Sequence, residues 1–186
     1  MNEFLILVDE KNNPLGAQEK ISVHEQGLLH RAFSVFIFNT RGELLLQQRA
    51  DDKYHSAGLW TNTCCSHPRF GEDLDTAVKR RLNEEMGLIC KTDYAFSFIY
   101  KAVFANGLTE HEYDNVFIGI TDDLPIIEKS EVKNWKYLCL QKLEIDIERH
   151  PDEYTQWIKI CLGRVMSYVK HSFIKSAEKF YSIEAT

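Results

Sequence analysis

The sequence has little of what builds linkers or repeats: its 4 prolines and 9 glycines are scattered over 186 residues, and no stretch is rich in Pro, Gly and Ser. This absence argues against several domains, and the length suits one domain with a substantial core. Hydrophobic residues make up 44% and charged residues 27%, as in ordinary globular proteins. We predict one domain over residues 1–186, with a C-terminal helix to about residue 170 and a tail after it.

A long basic run and a long apolar run are also missing. The formal charge is −6, from 28 acidic against 22 basic residues, so sequence-independent nucleic-acid binding is not expected. The apolar run at residues 4–8 is bounded by Glu3 and Asp9 and is too short for a signal peptide or a membrane span. The 5 cysteines, an odd number without regular spacing, favour reduced thiols over a disulfide framework. We therefore expect a cytoplasmic protein with no nucleic-acid or membrane partner.

The densest group of reactive side chains lies at residues 60–68, which read Trp-Thr-Asn-Thr-Cys-Cys-Ser-His-Pro. Residues 60–65 predict a short strand that ends at the proline, so Cys65 and His67 should lie at a strand end and point to the same side. A metal ion on His67 would then be close to the Cys65 thiol. An equally open alternative is a buried pair of small cysteines beside a structural histidine.

Hydrophobic patterning predicts an α+β or three-layer α/β domain. Residues 9–16 indicate a loop, followed by a polar segment that carries Lys20 and His24. A helix is bounded by Asp73 or Asp75 as N-cap and by Gly87 as the stop signal. Strands are expected at residues 4–8, 32–38, 44–48, 60–65, 94–104, 113–121 and 132–138, and helices at 73–86 and about 152–170.

Two charged residues of the first predicted helix, Arg81 and Glu85, fall inside the arc of its apolar stripe. The alternative is an i,i+4 ion pair on a solvated helix flank, but Arg before Glu is the weaker order. Because a buried charge is costly unless it has a partner, we favour contact of this pair with a ligand.

Histidines and carboxylates form a second group of interest. Glu110 and Glu112, two apart in an extended segment, would share one face, where their repulsion raises the pKa of each unless a cation lies between them. Three imidazoles and two carboxylates suit a divalent metal of five or six coordination. Basic residues nearby in sequence suit an anionic substrate, although spacing alone does not show that these groups meet. The candidate metal ligands are His24, His30, His67, Glu110 and Glu112. The basic residues are Lys20, Arg49, Lys53 and Arg81.

Three segments occur in a fixed order: Gly-Leu-Leu-His-Arg-Ala-Phe-Ser-Val-Phe at 27–36, Thr-Asn-Thr-Cys-Cys-Ser-His-Pro at 61–68, and Glu-His-Glu at 110–112. With these segments the sequence resembles the type I isopentenyl-diphosphate Δ-isomerase family, a branch of the Nudix fold, over about residues 20–157. The resemblance implies a Nudix fold, a mixed β-sheet flanked by helices in an α/β/α sandwich-like arrangement. It also implies interconversion of isopentenyl and dimethylallyl diphosphate through a tertiary carbocation.

The resemblance implies catalytic roles for three residues and a substrate-binding role for a fourth. Cys65 and Glu112 correspond to the acid–base pair on opposite faces of the substrate, and Tyr100 to a tyrosine that hydrogen-bonds the catalytic carboxylate. Trp157 corresponds to an indole whose π face stabilises the carbocation. Cys64 is not the family's cysteine, which lies two residues before the motif histidine.

The resemblance also implies two metal ions and a diphosphate site. One ion, Mn²⁺ or Zn²⁺ (or Mg²⁺), would be tightly held, and a Mg²⁺ would arrive with the substrate at Glu85. A monomer and a dimer both remain open. The implied ligands of the tight ion are His24, His30, His67, Glu110 and Glu112, and the implied diphosphate-binding residues are Lys20, Arg49, Lys53 and Arg81.

The sequence departs from the general Nudix pattern at two positions, and the second departure bears on the reaction. Ser66 stands at the glycine of the Nudix box, and Arg81 stands at the first glutamate of the hydrolase core. Loss of this carboxylate disfavours the metal-activated water that hydrolysis needs. Two alternatives stay open: a Nudix hydrolase acting on a nucleoside or prenyl diphosphate, which Glu72, Glu84 and Glu85 keep possible, and a catalytically silent binding module.

Overall fold

The computed structural model describes the backbone of residues 3–53 and 55–183 and the side chains as far as His171. In this part of the chain nine strands form one mixed sheet, with four α-helices and a short 3₁₀ helix at Pro151–Glu153. The strands are β1 (Phe4–Val8), β2 (Pro14–Glu19), β3 (His30–Phe38), β4 (Glu43–Arg49), β5 (Trp60–Thr61), β6 (Cys64–Ser66), β7 (Thr92–Val103), β8 (Thr109–Ile120) and β9 (Val132–Cys139). The α-helices are α1 (Lys20–Gln26), α2 (Leu74–Met86), α3 (Leu140–Arg149) and α4 (Gln156–Ile183).

The register of strand β3 positions the rest of the sheet. It pairs in parallel with β8, so that His30 lies opposite Glu112. It also pairs antiparallel with β6, with Ser34 opposite Cys65. The β7–β8 hairpin places Tyr100 opposite Glu112. Residues from four parts of the chain therefore meet at one end of β3.

Both faces of the sheet are covered, which gives the layered α/β/α arrangement expected from the sequence. Side chains alternate along β3: Phe36 packs toward α3 and α4, and Phe33 packs toward α2. Trp157 of α4 and Leu82 of α2 belong to the two clusters. Burial of each large apolar side chain contributes about 1.5–3 kcal/mol, so both layers stabilise the sheet strongly.

Helix α2 has the ends that its sequence predicts. The side chain of Asp73 accepts a hydrogen bond of 3.0 Å from the backbone N–H of Thr76, as an N-cap does. Gly87 ends the helix with a φ of 63°, in the left-handed region that favours glycine. The backbone oxygen of Ile126 would lie 2.6 Å from a Cβ at residue 87, so a close approach of two chain segments also requires glycine here.

The prediction of one strand over residues 60–65 was wrong, because Asn62 and Thr63 separate β5 from β6. Asn62 Nδ2 donates to the carbonyl of Cys64 at 2.8 Å. Thr63 Oγ1 donates to the carbonyl of Leu45 at 2.6 Å and accepts from the N–H of Ile37 at 2.9 Å. These side chains take the place of ladder hydrogen bonds, so β5 pairs with β4 and β6 with β3.

Other expectations also need correction. The segment carrying Lys20 and His24 is helix α1, and β2 begins inside the expected loop at residues 9–16. Helix α3 was not predicted, so the expected two helices are four in the described residues. Helix α4 begins at Gln156 rather than near residue 152 and continues to Ile183, beyond residue 170. None of the helices in the described ranges combines the length and apolar character needed to cross a bilayer.

Candidate active site

A cavity of about 80 Å³ lies at the end of β3 where α2, β6, β8 and α4 come together. It is lined by most of the side chains that the sequence singled out, although they come from distant parts of the chain. His24 and His30 are buried next to it, against Glu110. The lining residues are Lys20, Gln47, Arg49, Lys53, His55, Cys65, Ser66, His67, Arg81, Glu85, Tyr100, Glu110, Glu112, Glu131 and Trp157.

Four buried residues bring their ligand atoms together: His24, His30, His67 and Glu110 each offer one atom, and all four atoms lie within 4.8 Å of one another. Glu110 Oε2 is 3.1 Å from His24 Nε2 and 3.7 Å from His30 Nε2. Spacing did not show that these residues meet, and the fold brings them together.

Glu112, the fifth expected ligand, lies beside this group. Its Oε1 is 3.1 Å from His67 Nε2 and 3.8 Å from His30 Nε2. Its Oε2 accepts a hydrogen bond of 2.7 Å from Tyr100. The carboxylate therefore joins the histidine group to the tyrosine of the cavity wall.

Backbone carbonyls orient two of the imidazoles. The Nδ1 of His24 is 2.6 Å from the carbonyl oxygen of Lys20, and the Nδ1 of His30 is 2.9 Å from that of Leu28. Because a carbonyl only accepts, each Nδ1 carries the proton, and each Nε2 is left as the ligand atom that faces Glu110.

The residues fit a divalent metal ion. His30 Nε2 is buried and has no hydrogen-bond partner among the described residues. A buried polar atom without a partner is costly, and a metal ion would satisfy it. Burial lowers the pKa of His30 to about 4 and lowers that of His67 well below its usual range, so both rings are neutral near neutral pH. Neutral imidazole is the form that binds metals.

The two neighbouring carboxylates have pKa values shifted in opposite directions. Burial raises the pKa of Glu112 well above its usual range, and the charge of Glu110 adds to the rise. Burial also acts to raise the pKa of Glu110, but the neighbouring imidazoles of His24 and His55 outweigh it and lower that pKa. Burial and Glu112 raise the pKa of Tyr100, which stays a phenol donor. Glu110 is therefore the stronger anion of the pair.

The two adjacent cysteines face opposite sides of the sheet. Cys65 lines the cavity, whereas Cys64 is fully buried in the cluster against α2. Burial raises the pKa of both thiols. Arg49 acts in the opposite direction on Cys65, because a nearby positive charge favours the thiolate. Cys65 is thus a half-buried thiol beside a cation.

Four cationic side chains surround the cavity, as the sequence suggested. The guanidinium carbon of Arg49 lies 5.3 Å from the centroid of the Trp157 ring. The Nε atoms of Arg49 and Arg81 are buried without a hydrogen-bond partner among the described residues. Lys20 forms an ion pair of 2.8 Å with Glu3, and Lys53 forms one of 2.5 Å with Glu131. An anion in the cavity would meet several N–H donors.

Arg81 and Glu85 were expected either to form an i,i+4 ion pair or to contact a ligand, and their positions are compatible with both. They form the i,i+4 ion pair at 2.5 Å, and both also line the cavity. Glu85 Oε2 accepts a further hydrogen bond of 2.9 Å from Gln47. The Glu85 carboxylate is therefore held by a cation and an amide at the cavity wall.

Sequence reasoning missed three lining residues: His55, Glu131 and Gln47. The Nε2 of His55 is 2.9 Å from Glu110 Oε1, and its ring stacks on Phe104 at a centroid distance of 4.9 Å. Glu131 accepts from the cations of the cavity mouth. A histidine two positions after Lys53 was the only sequence signal. Gln47 and Glu131 stand in stretches without any motif.

The chain has close relatives of known name. A family model of the NUDIX domain matches residues 28–158. The chain is 54% identical over 159 residues to isopentenyl-diphosphate Delta-isomerase 2 of Photorhabdus laumondii, covering 86% of this chain and 90% of that protein. It is 50% identical over 157 residues to isopentenyl-diphosphate Delta-isomerase of Serratia proteamaculans, covering 84% and 88%.

Solved structures share the same architecture. DR0079 of Deinococcus radiodurans superposes with a TM-score of 0.73 at 18% identity and covers 87% of this chain and 98% of its own. A MutT protein of Methanosarcina mazei Go1 has a TM-score of 0.60 at 19% identity, with coverage of 73% and 91%. These likenesses concern the fold alone, and they confirm the predicted Nudix arrangement of a mixed sheet flanked by helices.

Proposed function

The chain belongs to the isopentenyl-diphosphate Delta-isomerase family and contains its Nudix domain, and we propose that it moves the substrate's double bond inside the cavity next to the histidine group. It is an isomerase that interconverts isopentenyl diphosphate and dimethylallyl diphosphate. The observation that carries the choice of site is that Cys65, Glu112 and Trp157 line one cavity. Cys65 and Glu112 are thereby available to a single bound substrate.

The reaction needs one proton added at one carbon and one proton removed from another, so the double bond moves while the atom count stays the same. We assign these transfers to Cys65 and Glu112, with Tyr100 hydrogen-bonded to the carboxylate. The reverse reaction follows the same path, so each group is the acid in one direction and the base in the other. Burial of Glu112 and partial burial of Cys65 limit the access of water to the proposed reaction site.

The carbocation formed by protonation needs a stabilising surface that is not a nucleophile. Trp157 supports this role, since its ring already lies within cation–π distance of the Arg49 guanidinium. A cation over an indole is stabilised by about 2 kcal/mol or more when desolvated. We propose that the intermediate uses the same property of this ring.

Two metal ions complete the proposal. His24, His30, His67, Glu110 and Glu112 would hold one divalent ion, with Mn²⁺, Zn²⁺ and Mg²⁺ as candidates. When bound, this ion supplies positive charge between carboxylates that otherwise repel one another. Glu85 would contribute an oxygen to a Mg²⁺ that arrives with the diphosphate, in place of one of its present hydrogen bonds to Arg81 and Gln47.

We assign the diphosphate to the cationic mouth formed by Lys20, Arg49, Lys53 and Arg81. The Nε atoms of Arg49 and Arg81, which have no hydrogen-bond partner in the described part of the chain, support this assignment. A bound diphosphate also provides the remote binding energy that holds the alkene in place between the acid–base groups.

Hydrolysis of the diphosphate is disfavoured by the ion pairs of α2. Arg81 replaces a carboxylate of the hydrolase box and bonds Glu84 at 3.0 Å and Glu85 at 2.5 Å. Arg80 bonds Glu72 at 2.7 Å. The remaining box carboxylates are therefore neutralised by arginines, which favours holding the diphosphate intact.

We also propose that the enzyme works in the cytoplasm on a free small-molecule diphosphate, with no nucleic-acid or membrane partner. All five cysteines are free thiols, and Cys65 must stay reduced to transfer protons. The net charge of −6 does not suit a polyanionic partner.

The proposal is tested by incubation of the metal-loaded protein with isopentenyl diphosphate and Mg²⁺ in D₂O, followed by NMR. We expect dimethylallyl diphosphate that contains deuterium, and Cys65→Ser as a control should give almost none. A protein that releases phosphate or pyrophosphate without moving the double bond would instead be a hydrolase, and metal binding without turnover of either kind would indicate a binding module.

A further inference from the structure

Glu131 stands between two of the cations to which the diphosphate is assigned. Its Oε2 is 2.5 Å from Lys53 Nζ and 3.1 Å from an Nη of Arg81. The residue lines the same cavity, immediately before strand β9. One carboxylate oxygen therefore accepts from two cations, Lys53 and Arg81, that belong to separate segments of the chain.

Hydrogen bonds fix the backbone of Glu131, but its side chain can move away from Lys53 and Arg81. Its carbonyl accepts a hydrogen bond of 3.0 Å from Ala50, and its N–H donates one of 3.0 Å to Glu128. The side chain is 26% exposed, so the carboxylate can rotate toward water without a change of the main chain. Its present position depends on the two ion pairs alone among the interactions described.

We propose that Glu131 is an internal counter-ion that the substrate diphosphate displaces from Lys53 and Arg81. This inference rests on the proposed assignment of the diphosphate to these cations. A diphosphate offers more oxygens and more negative charge than one carboxylate, so it displaces Glu131 from the two cations. A single phosphate gains much less binding free energy from the same displacement. Glu131 thereby makes the site selective for diphosphates over weaker anions and promotes product release.

The test is calorimetric titration of metal-loaded protein with inorganic pyrophosphate and with inorganic phosphate. Glu131→Gln keeps the size of the side chain and removes the competing charge. We expect pyrophosphate to bind roughly tenfold tighter and phosphate to gain more than that, because phosphate displaces Glu131 less readily than pyrophosphate does in the wild type. In the steady state the variant should show a lower KM and stronger inhibition by pyrophosphate, without a higher kcat.

Glu72→Gln is the matched control. It removes an ion pair of similar length, 2.7 Å to Arg80, on a flank of α2 that does not line the cavity. We expect its pyrophosphate affinity and its turnover to equal those of the wild type. A general effect of losing one acidic residue would appear equally in both variants and would overturn the inference.

Two further outcomes decide the question. If Glu131→Gln weakens pyrophosphate binding, the residue positions the cations rather than competing for them, and the inference is wrong. Lys53→Met separates the inference from the proposal on which it rests. If Lys53→Met weakens binding while Glu131→Gln has no effect, only the counter-ion inference fails, and if neither has an effect, the assigned diphosphate site fails with it.

Discussion

Tyr100 donates a hydrogen bond of 2.7 Å to Glu112, and the two residues are direct partners across the β7–β8 hairpin. Both side chains are buried, and the tyrosine pKa is raised by burial and by the carboxylate itself. A strand register formed by backbone hydrogen bonds thus determines which hydroxyl meets the proposed catalytic carboxylate.

Tyr100→Phe should lower kcat by roughly 10- to 100-fold, because a hydrogen bond to a charged group is worth about 1.5–3 kcal/mol. The phenyl ring keeps the packing, so the melting temperature should change little. Tyr113→Phe removes a hydroxyl that contacts Ser97 at 3.0 Å outside the cavity, and it should retain turnover. Equal activities of the two variants would show that Tyr100 does not act on Glu112.

Cys65→Ser should lose nearly all turnover, by roughly 100-fold or more, because a serine hydroxyl is a far weaker acid than a thiol. Cys64→Ser should keep most activity and lose some stability, because it puts a hydroxyl into the cluster against α2. Turnover and melting temperature of both variants are measured together. An inactive Cys64→Ser beside an active Cys65→Ser would contradict the assignment.

His67→Ala should lose most of the tightly bound metal, because it removes one of the four ligand atoms that converge. The measurement is metal content per chain after extensive dialysis, which does not depend on turnover. The exposed His150 is the control, and His150→Ala should keep its metal. A full equivalent of metal in His67→Ala would show that the ligands have been misassigned.

Gly87→Ala should destabilise the fold by roughly 2–4 kcal/mol, because it adds strain at positive φ to a collision with a backbone oxygen. Gly71 also has a positive φ, of 82°, but nothing lies within 4 Å of its missing Cβ. Gly71→Ala should therefore cost only about 1 kcal/mol. Urea unfolding of the two variants gives both values, and equal losses would mean that the contact with Ile126 relaxes.

Local signals were enough for much of the fold. Strands β3 and β4 follow from apolar runs with a turn signal between them, and α2 follows from its apolar stripe, the Asp73 cap and Gly87. These features depend on neighbours within a few residues, so the sequence states them directly. The same is true of the opposite orientation of Cys64 and Cys65, which alternation along a strand requires.

The local signals failed where side chains replaced backbone partners or where a short element depended on distant contacts. Asn62 and Thr63 interrupt the central strand because their side chains bond backbone atoms of β3 and β4. Helix α1 has only seven residues, too few to be stable alone, and His24 on it contacts Glu110 of β8. No pattern within either segment contains these partners.

The amino-acid sequence by itself determined the chemical groups of this protein: its imidazoles, carboxylates, thiols and cations, and the local strands and helix that carry many of them. Only the tertiary structure decided which of them meet. The parallel pairing of β3 with β8 places His30 opposite Glu112, and the turn before β9 brings Glu131 to Lys53. The physical reason is that sheet pairing and ion pairs between distant segments depend on the whole packed chain, and not on the residues on either side of each group.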